Sequence, residues 1–211
     1  MASPRLDRRL LPRAAGLALA LGLAACAGGT VPPPVVRAPA QCLAELDRLG
    51  VQYQLEPIEA SANACTIDDP VRVSAMGASF QSAAVMSCDF ALHLDRFERE
   101  VLQPEARRFF HFGVHSLLHF GAYACRRTRG GKESAHALGR AIDLAGIELD
   151  DGTVIRVAED WRMPGKNSAF LHEVAREACH YFSEVLTPDS DADHYNHLHL
   201  DTGPYKLCIK R

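Results

Sequence analysis

Five imidazole and carboxylate side chains fall in two short stretches of the chain: His136 and Asp143 within SAHALGRAID (134–143), and His194, His197 and His199 within HYNHLH (194–199). His136 and Asp143 are seven apart with Gly139 between them, a spacing that one helical turn does not close. A turn through Gly139 into a strand does close it. Asp143 then shares a face with Ala141 and alternates with apolar Ile142 and Leu144. His197 and His199, two apart in a predicted strand over 197–200, project to one side, with Leu198 and Leu200 on the other. One of that pair is placed to bind metal while its neighbour faces a bound water. Two imidazoles and a carboxylate suit zinc, which takes about four ligands in a tetrahedron at about 2.0–2.2 Å. In hydrolases one position is left to water. The plain alternative is a hydrogen-bonded His–Asp cluster without metal.

The elements that must position these groups are mixed. The pattern predicts a short helix over 42–49 stopped by Gly50, and a turn at Asp69-Pro70 into a strand over 71–73. Apolar residues at helical spacing (Phe90, Leu94, Phe97, Val101) predict a helix over 88–112, interrupted near Pro104 and ended by Gly113. Residues 114–125 read as a strand. Two more strands, 141–147 and 153–158, are joined by the turn Asp150-Asp151-Gly152. A helix over 168–186 is stopped by Pro188. Helices beside a small, largely antiparallel sheet make an α+β domain.

The N-terminal stretch reads as an address. Arg5, Arg8, Arg9 and Arg13 precede an apolar run ending Leu23-Ala24-Ala25-Cys26, so residues 1–25 have the layout of a secretory signal, too short for a stable span. The ending resembles a bacterial lipobox, which implies a lipid anchor on Cys26. Ala27 rather than Asp follows, so nothing asks for retention at an inner membrane, and the choice of membrane stays open. Residues 26–40, rich in Pro and Ala, read as a tether, and 41–211 as one domain. The leader holds four of the 23 basic and one of the 26 acidic residues, which leaves 19 basic and 25 acidic. That mildly acidic balance excludes a nucleic-acid binder. Setting Cys26 aside leaves six cysteines in an exported chain, hence three disulfides. Pairing of near neighbours predicts Cys42–Cys65, Cys88–Cys125 and Cys179–Cys208. The expected setting is the periplasmic face of the envelope, as a monomer.

The motif Ser-x-His-x-x-Gly-x-Ala-x-Asp (Ser134, His136, Gly139, Ala141, Asp143), followed by His-x-His, resembles the signature of the zinc peptidases related to lysostaphin, D-Ala-D-Ala carboxypeptidases and the hedgehog domain. The wider chain, with Tyr123-Ala124-Cys125-Arg126 before the motif and His199-Leu200-Asp201 near a C-terminal cysteine, resembles the bacterial extensin-like C-terminal domain. The first resemblance implies a hedgehog or D-Ala-D-Ala-peptidase-like fold, with His136, Asp143 and His199 as zinc ligands. His197 is then the general base or the group that stabilises the charged intermediate. The spacing His-x-x-His-x-His is similar to the penicillin-insensitive murein endopeptidases and implies that His194 also lines the site. Arg126, beside Arg127 and Arg129, is comparable to a substrate-contacting arginine of the dipeptidases and carboxypeptidases. Those enzymes carry Glu where this chain has Asn196, so proton transfer would fall to histidine. The implied function is a peptidase acting on peptidoglycan peptides, a D,D-endopeptidase before a carboxypeptidase. The alternative is a zinc-retaining, non-catalytic domain that binds or scaffolds the cell wall.

Other candidates have simpler readings. His111, His115 and His119 are spaced four apart, but Gly113 breaks the helix that would stack them, so they read as structural or surface residues. Trp161 reads as packing, Asp150 and Asp151 as turn residues, and Ser134 as a hydroxyl used in a turn or in a bond to the metal site rather than as a nucleophile.

Overall fold

A computed structural model describes residues 39–56, 65–128 and 130–208. The signal, Cys26 and nearly all of the tether lie outside them, as does Arg129. The two stretches that carry the candidate ligands, 134–143 and 194–199, lie inside. Among the described residues, no helix is long and apolar enough to cross a membrane.

The chain runs α1 (Pro39–Leu49), β1 (Gln52–Leu55), β2 (Pro70–Ala75), β3 (Ser79–Ser87), α2 (Cys88–Phe97), a π-helical turn (Glu98–Leu102) and α3 (Gln103–Phe110). It continues with β4 (Val114–His119), β5 (Ala141–Leu149), β6 (Val154–Arg156), α4 (Val157–Asp160), α5 (Lys166–Ala178), β7 (Glu184–Leu186) and β8 (Leu198–Asp201). The strands form one mixed sheet ordered β1-β2-β3-β4-β5-β8-β7, with β6 paired to the outer half of β5. Only β3 and β4 pair in parallel; the other neighbours are antiparallel. The α+β class is therefore as expected, and the sheet is larger than the sequence suggested.

Alternation decides which face is buried. Val71, Val73, Ala84, Met86, Ile142, Leu144, Leu198 and Leu200 join one core with Phe90, Phe97, Phe170 and Phe182 from the helices and the loop after α5. Phe97 meets Phe182 edge to face at 5.1 Å. Truncating such a ring to alanine costs about 3–5 kcal/mol. α2 starts where Ser87 caps the Phe90 N–H, with Asp89 in its first turn. Pro104 is the reason the long helix changes pitch: Gln103 bonds back five residues to Glu98, and the π turn absorbs the break before α3 begins.

Several expected boundaries shift. The strand expected over 114–125 stops at His119, because residues 120–125 turn toward the site. The helix expected through 186 ends at Ala178, and Glu184–Leu186 is strand β7 instead; Ser183 N–H bonds to Asp201 O and starts that pairing. The strand expected from His197 begins at Leu198, and the one over 153–158 narrows to β6 before α4. Two of the three expected disulfides are corrected. The bonds are Cys42–Cys88, Cys65–Cys125 and, as expected, Cys179–Cys208. Near-neighbour pairing fails because α1 packs on α2, so buried Cys42 faces Cys88 across 46 residues of sequence. Cys65 is thereby left for Cys125, and that bond staples the entry to β2 against the segment carrying Arg126.

Candidate metal centre

Ser134 opens a single 3-10 turn, Ala135–Leu138, its Oγ accepting the His136 N–H at 3.3 Å. Gly139 closes that turn at φ +62, where a side chain is strained. A Cβ there would also lie 2.8 Å from Ser87 N and 2.9 Å from Ile67. Arg140 N–H then bonds to Ala135 O, and the chain enters β5. This is the turn through glycine that the spacing predicted. Asp143 on β5 stands directly opposite His199 on β8 in the antiparallel register. Cross-strand pairing thus brings together residues 56 apart in the chain, and the 3-10 turn swings His136 over them.

Three donor atoms converge. His136 Nε2 lies 3.1 Å from Asp143 Oδ1 and 3.1 Å from His199 Nδ1, and His199 Nδ1 lies 2.9 Å from Asp143 Oδ1. A tetrahedral ion with bonds of about 2.0–2.2 Å spaces its donors roughly 3.3–3.6 Å apart. Small side-chain rotations reach that spacing. The outer nitrogens also suit a metal. His136 Nδ1 is 2.6 Å from the Ala122 carbonyl, which only accepts, so that nitrogen carries the proton and Nε2 presents a lone pair. His199 Nε2 donates to Asp201 Oδ2 at 3.2 Å, which leaves Nδ1 free to the centre. A carboxylate behind a ligating imidazole fixes its orientation and raises its basicity. Two lone pairs and a carboxylate oxygen at such separations call for a cation or protons between them. The residues fit zinc.

With protons rather than metal filling the centre, burial alone would raise the Asp143 carboxyl, but hydrogen bonds from His136, His197 and His199 outweigh it and hold the group far below the usual carboxylate range. Burial alone would lower His199, but hydrogen bonds to Asp143 and Asp201 push it up to about 9 when protons rather than metal fill the centre. Glu184 stands opposite Asp201 in the sheet and is pushed up, first by burial and then by that neighbouring charge. The Glu184–His199–Asp201 group shares His199 with the triad and forms its support.

The other expected residues surround the triad. His197 Nε2 is 3.4 Å from Asp143 Oδ1. Its Nδ1 lies 2.9 Å from Asn196 Oδ1, so the N–H on that side is held and Nε2 faces the centre. His194 sits with its ring centroid 5.1 Å from His197 and 5.8 Å from His199. Its Nδ1 is tied to Asp191 at 2.7 Å, and burial, only partly opposed by Asp191, lowers its pKa. Arg126 is exposed, with a guanidinium nitrogen 3.9 Å from Asp143 Oδ2. His111 ends α3, His115 is exposed on β4, and His119 donates to the Ser82 carbonyl, so the three do not converge. Trp161 is packing, as expected: it is 3 % exposed, stacks on His172 and donates to Asp189.

The sequence reading missed four contributors. Asp201 follows His199 by two on a strand, so period-two alternation alone could have placed it beside that ring. Asn196 was noted only for the glutamate it lacks, whereas here it orients His197. Glu184 was assigned to a helix, which hid its pairing with Asp201. Phe120, 61 % exposed, lies edge-on to His197, and no local sequence signal marks it.

Residues 40–209 match the family model described as the extensin-like protein C-terminus. No curated protein and no solved structure matches the chain. The match covers most of the sequence, so the chain belongs to the extensin-like C-terminal family.

Proposed function

We propose that this member of the extensin-like C-terminal family is a zinc-dependent peptidase that cuts peptidoglycan peptides, a D,D-endopeptidase before a carboxypeptidase. The observation that carries the reading is the triad itself: three donor atoms within 3.1 Å of one another, with the outer nitrogens of both imidazoles already hydrogen-bonded. His136, Asp143 and His199 would hold the ion, which supplies polarisation of the scissile carbonyl and a water acidic enough to attack at neutral pH. His197, its Nδ1–H held by Asn196, presents Nε2 to accept that water's proton and return it to the leaving amine. His194, its Nδ1 held by Asp191, stands beside His197 and lines the site. Arg126, exposed at the rim, meets a carboxylate or carbonyl oxygen of the peptide. The lipid anchor and tether read from the sequence fit a wall substrate at the periplasmic face of the envelope.

The test is digestion of purified sacculi by the full chain with and without chelator, beside His136→Ala. New muropeptide ends that vanish with chelator and in the variant are expected. Identical profiles in all arms would sink the peptidase. Zinc retention and sacculus binding without cleavage would leave a wall-recognition domain in its place.

A further inference from the structure

β3 and β4 begin side by side and then part. They pair only at Ser79–Ser116 and Phe80–Leu117. Just beyond, β3 bulges: residues 80–83 stand opposite the single Ser74, between the pairs Val73–Ala84 and Ala75–Ser79. His119 Nε2 takes the Ser82 carbonyl there at 2.8 Å. On the other side the chain after β4 leans toward β5, with Phe120 N–H on Asp143 O at 2.9 Å and Asp143 N–H on Gly121 O at 3.0 Å. The far end is closed by Ser87 N–H on Gly139 O at 2.9 Å. Between these contacts lies a slot of about 260 Å³ walled by Ala83, Val85, Phe120, Gly121, Ala122 and Tyr123.

Three features tie the slot to the metal centre. Val71, Val73, Ala84 and Met86 are buried with Ile142 on the helix-covered face, so alternation puts Arg72, Val85 and Asp143 together on the opposite one. Ala122, a wall of the slot, gives its carbonyl to His136 Nδ1. Val85 precedes Ser87 by two and presents its N–H and C=O to the same edge. Among the described residues, no strand takes them up. An open strand edge of this kind recognises an extended backbone by adding it as a further strand. The volume is just under the roughly 300–1,000 Å³ of small-molecule sites, and Arg72, His119, Phe120 and Tyr123 already stand among its walls beside the alanines, so the space left suits small side chains.

We propose that this slot seats an extended peptide with small side chains, laid as a strand beside β3 and led past Ala122 to the triad. The inference rests on the peptidase reading and names where that substrate lies. The test titrates the labelled, purified full chain with N-acetyl-trialanine in L and D forms and follows backbone amides. Saturable shifts at Val85 and Tyr123, with none at Leu46 in α1, are expected. Ala83→Trp, which fills the slot from an exposed position, should weaken peptide binding at least about tenfold and raise the KM for sacculi to match, with zinc content unchanged. Unmoved Val85 and Tyr123 amides, or Ala83→Trp binding like the parent, would overturn the slot. Shifts at Val85 beside intact sacculi keep the slot and remove the peptidase. Cleavage by Ala83→Trp at the parental KM does the reverse.

Discussion

Asp143 on β5 and Glu98 in the π turn are both carboxyls withdrawn from water, and their surroundings offer a negative charge very different company. Asp143, with 15 % of its side chain exposed, faces three imidazoles and lies near a guanidinium. Glu98 is 0 % exposed. Its Oε1 accepts from Gln103 Nε2 at 2.7 Å, while Oε2 has no hydrogen-bond partner among the described residues. It is pressed against Gly77, where a Cβ would come within 2.8 Å of either carboxyl oxygen. Burial pushes the Glu98 carboxyl up, Gln103 opposes that, and nearby Asp95 adds to it. One carboxyl is kept ionised and aimed at a cluster of imidazoles. The other is driven toward its neutral form inside a seam joining the β2–β3 turn, the π turn and β4, where Gln103 also bonds both backbone groups of Val114. Burial of an acid is thus no mark of function by itself; the number and direction of its partners is.

The comparison breaks most visibly at Asp143. Asp143→Asn keeps the shape and removes the charge that a metal needs. Loss of bound zinc on gel filtration and a fall in sacculus cleavage on the order of 1,000-fold or more are expected, with a native far-UV spectrum. Retention of stoichiometric zinc by this variant would show that Asp143 is no ligand. Asp201→Asn is the next step down. It leaves all three converging atoms in place and weakens only the support behind His199, so zinc affinity should drop about 10- to 100-fold in competition with a chromophoric chelator. An unchanged affinity would detach Asp201 from the centre.

What could be read from the sequence follows the same division. The two halves of the triad were legible because each is local, a turn through Gly139 between His136 and Asp143 and a period-two strand carrying His197 and His199; that His199 joins the first pair was implied by the family resemblance. The α+β class and Gly50, Gly113 and Gly139 as breakpoints were legible for the same reason, each being fixed by its own neighbours. What was not legible depends on elements meeting late. Cys42 finds Cys88 because α1 lies on α2, a contact no spacing encodes. Strand β7 was taken into the preceding helix because Val185 and Leu186 continue the apolar pattern of α5. Only the register with β8 shows that Glu184 belongs beside Asp201. β1 (QYQL) and β3 (SFQSAAVMS) lack the clean apolar alternation that marks the other strands, and with them the slot beside β3 went unseen.

Glu98→Gln should have the smallest effect and is the sharpest check on the other side of the comparison. A glutamate whose folded pKa is raised binds more protons folded than unfolded, so its contribution to stability is greatest below the unfolded pKa near 4.3. That contribution declines as pH rises toward the folded value and stays lost above it. Glutamine keeps the shape, still accepts from Gln103 through its carbonyl oxygen, and never ionises. The variant should therefore match the parent within about 1 kcal/mol at pH 4, equal or exceed it by about that amount at pH 8, and retain zinc and cleavage in full. Urea midpoints at the two pH values, read beside zinc content, are the measurement. A variant destabilised by more than about 2 kcal/mol at pH 8 would mean that the Glu98 charge is held there by partners, as that of Asp143 is, and would dissolve the contrast between the two carboxyls.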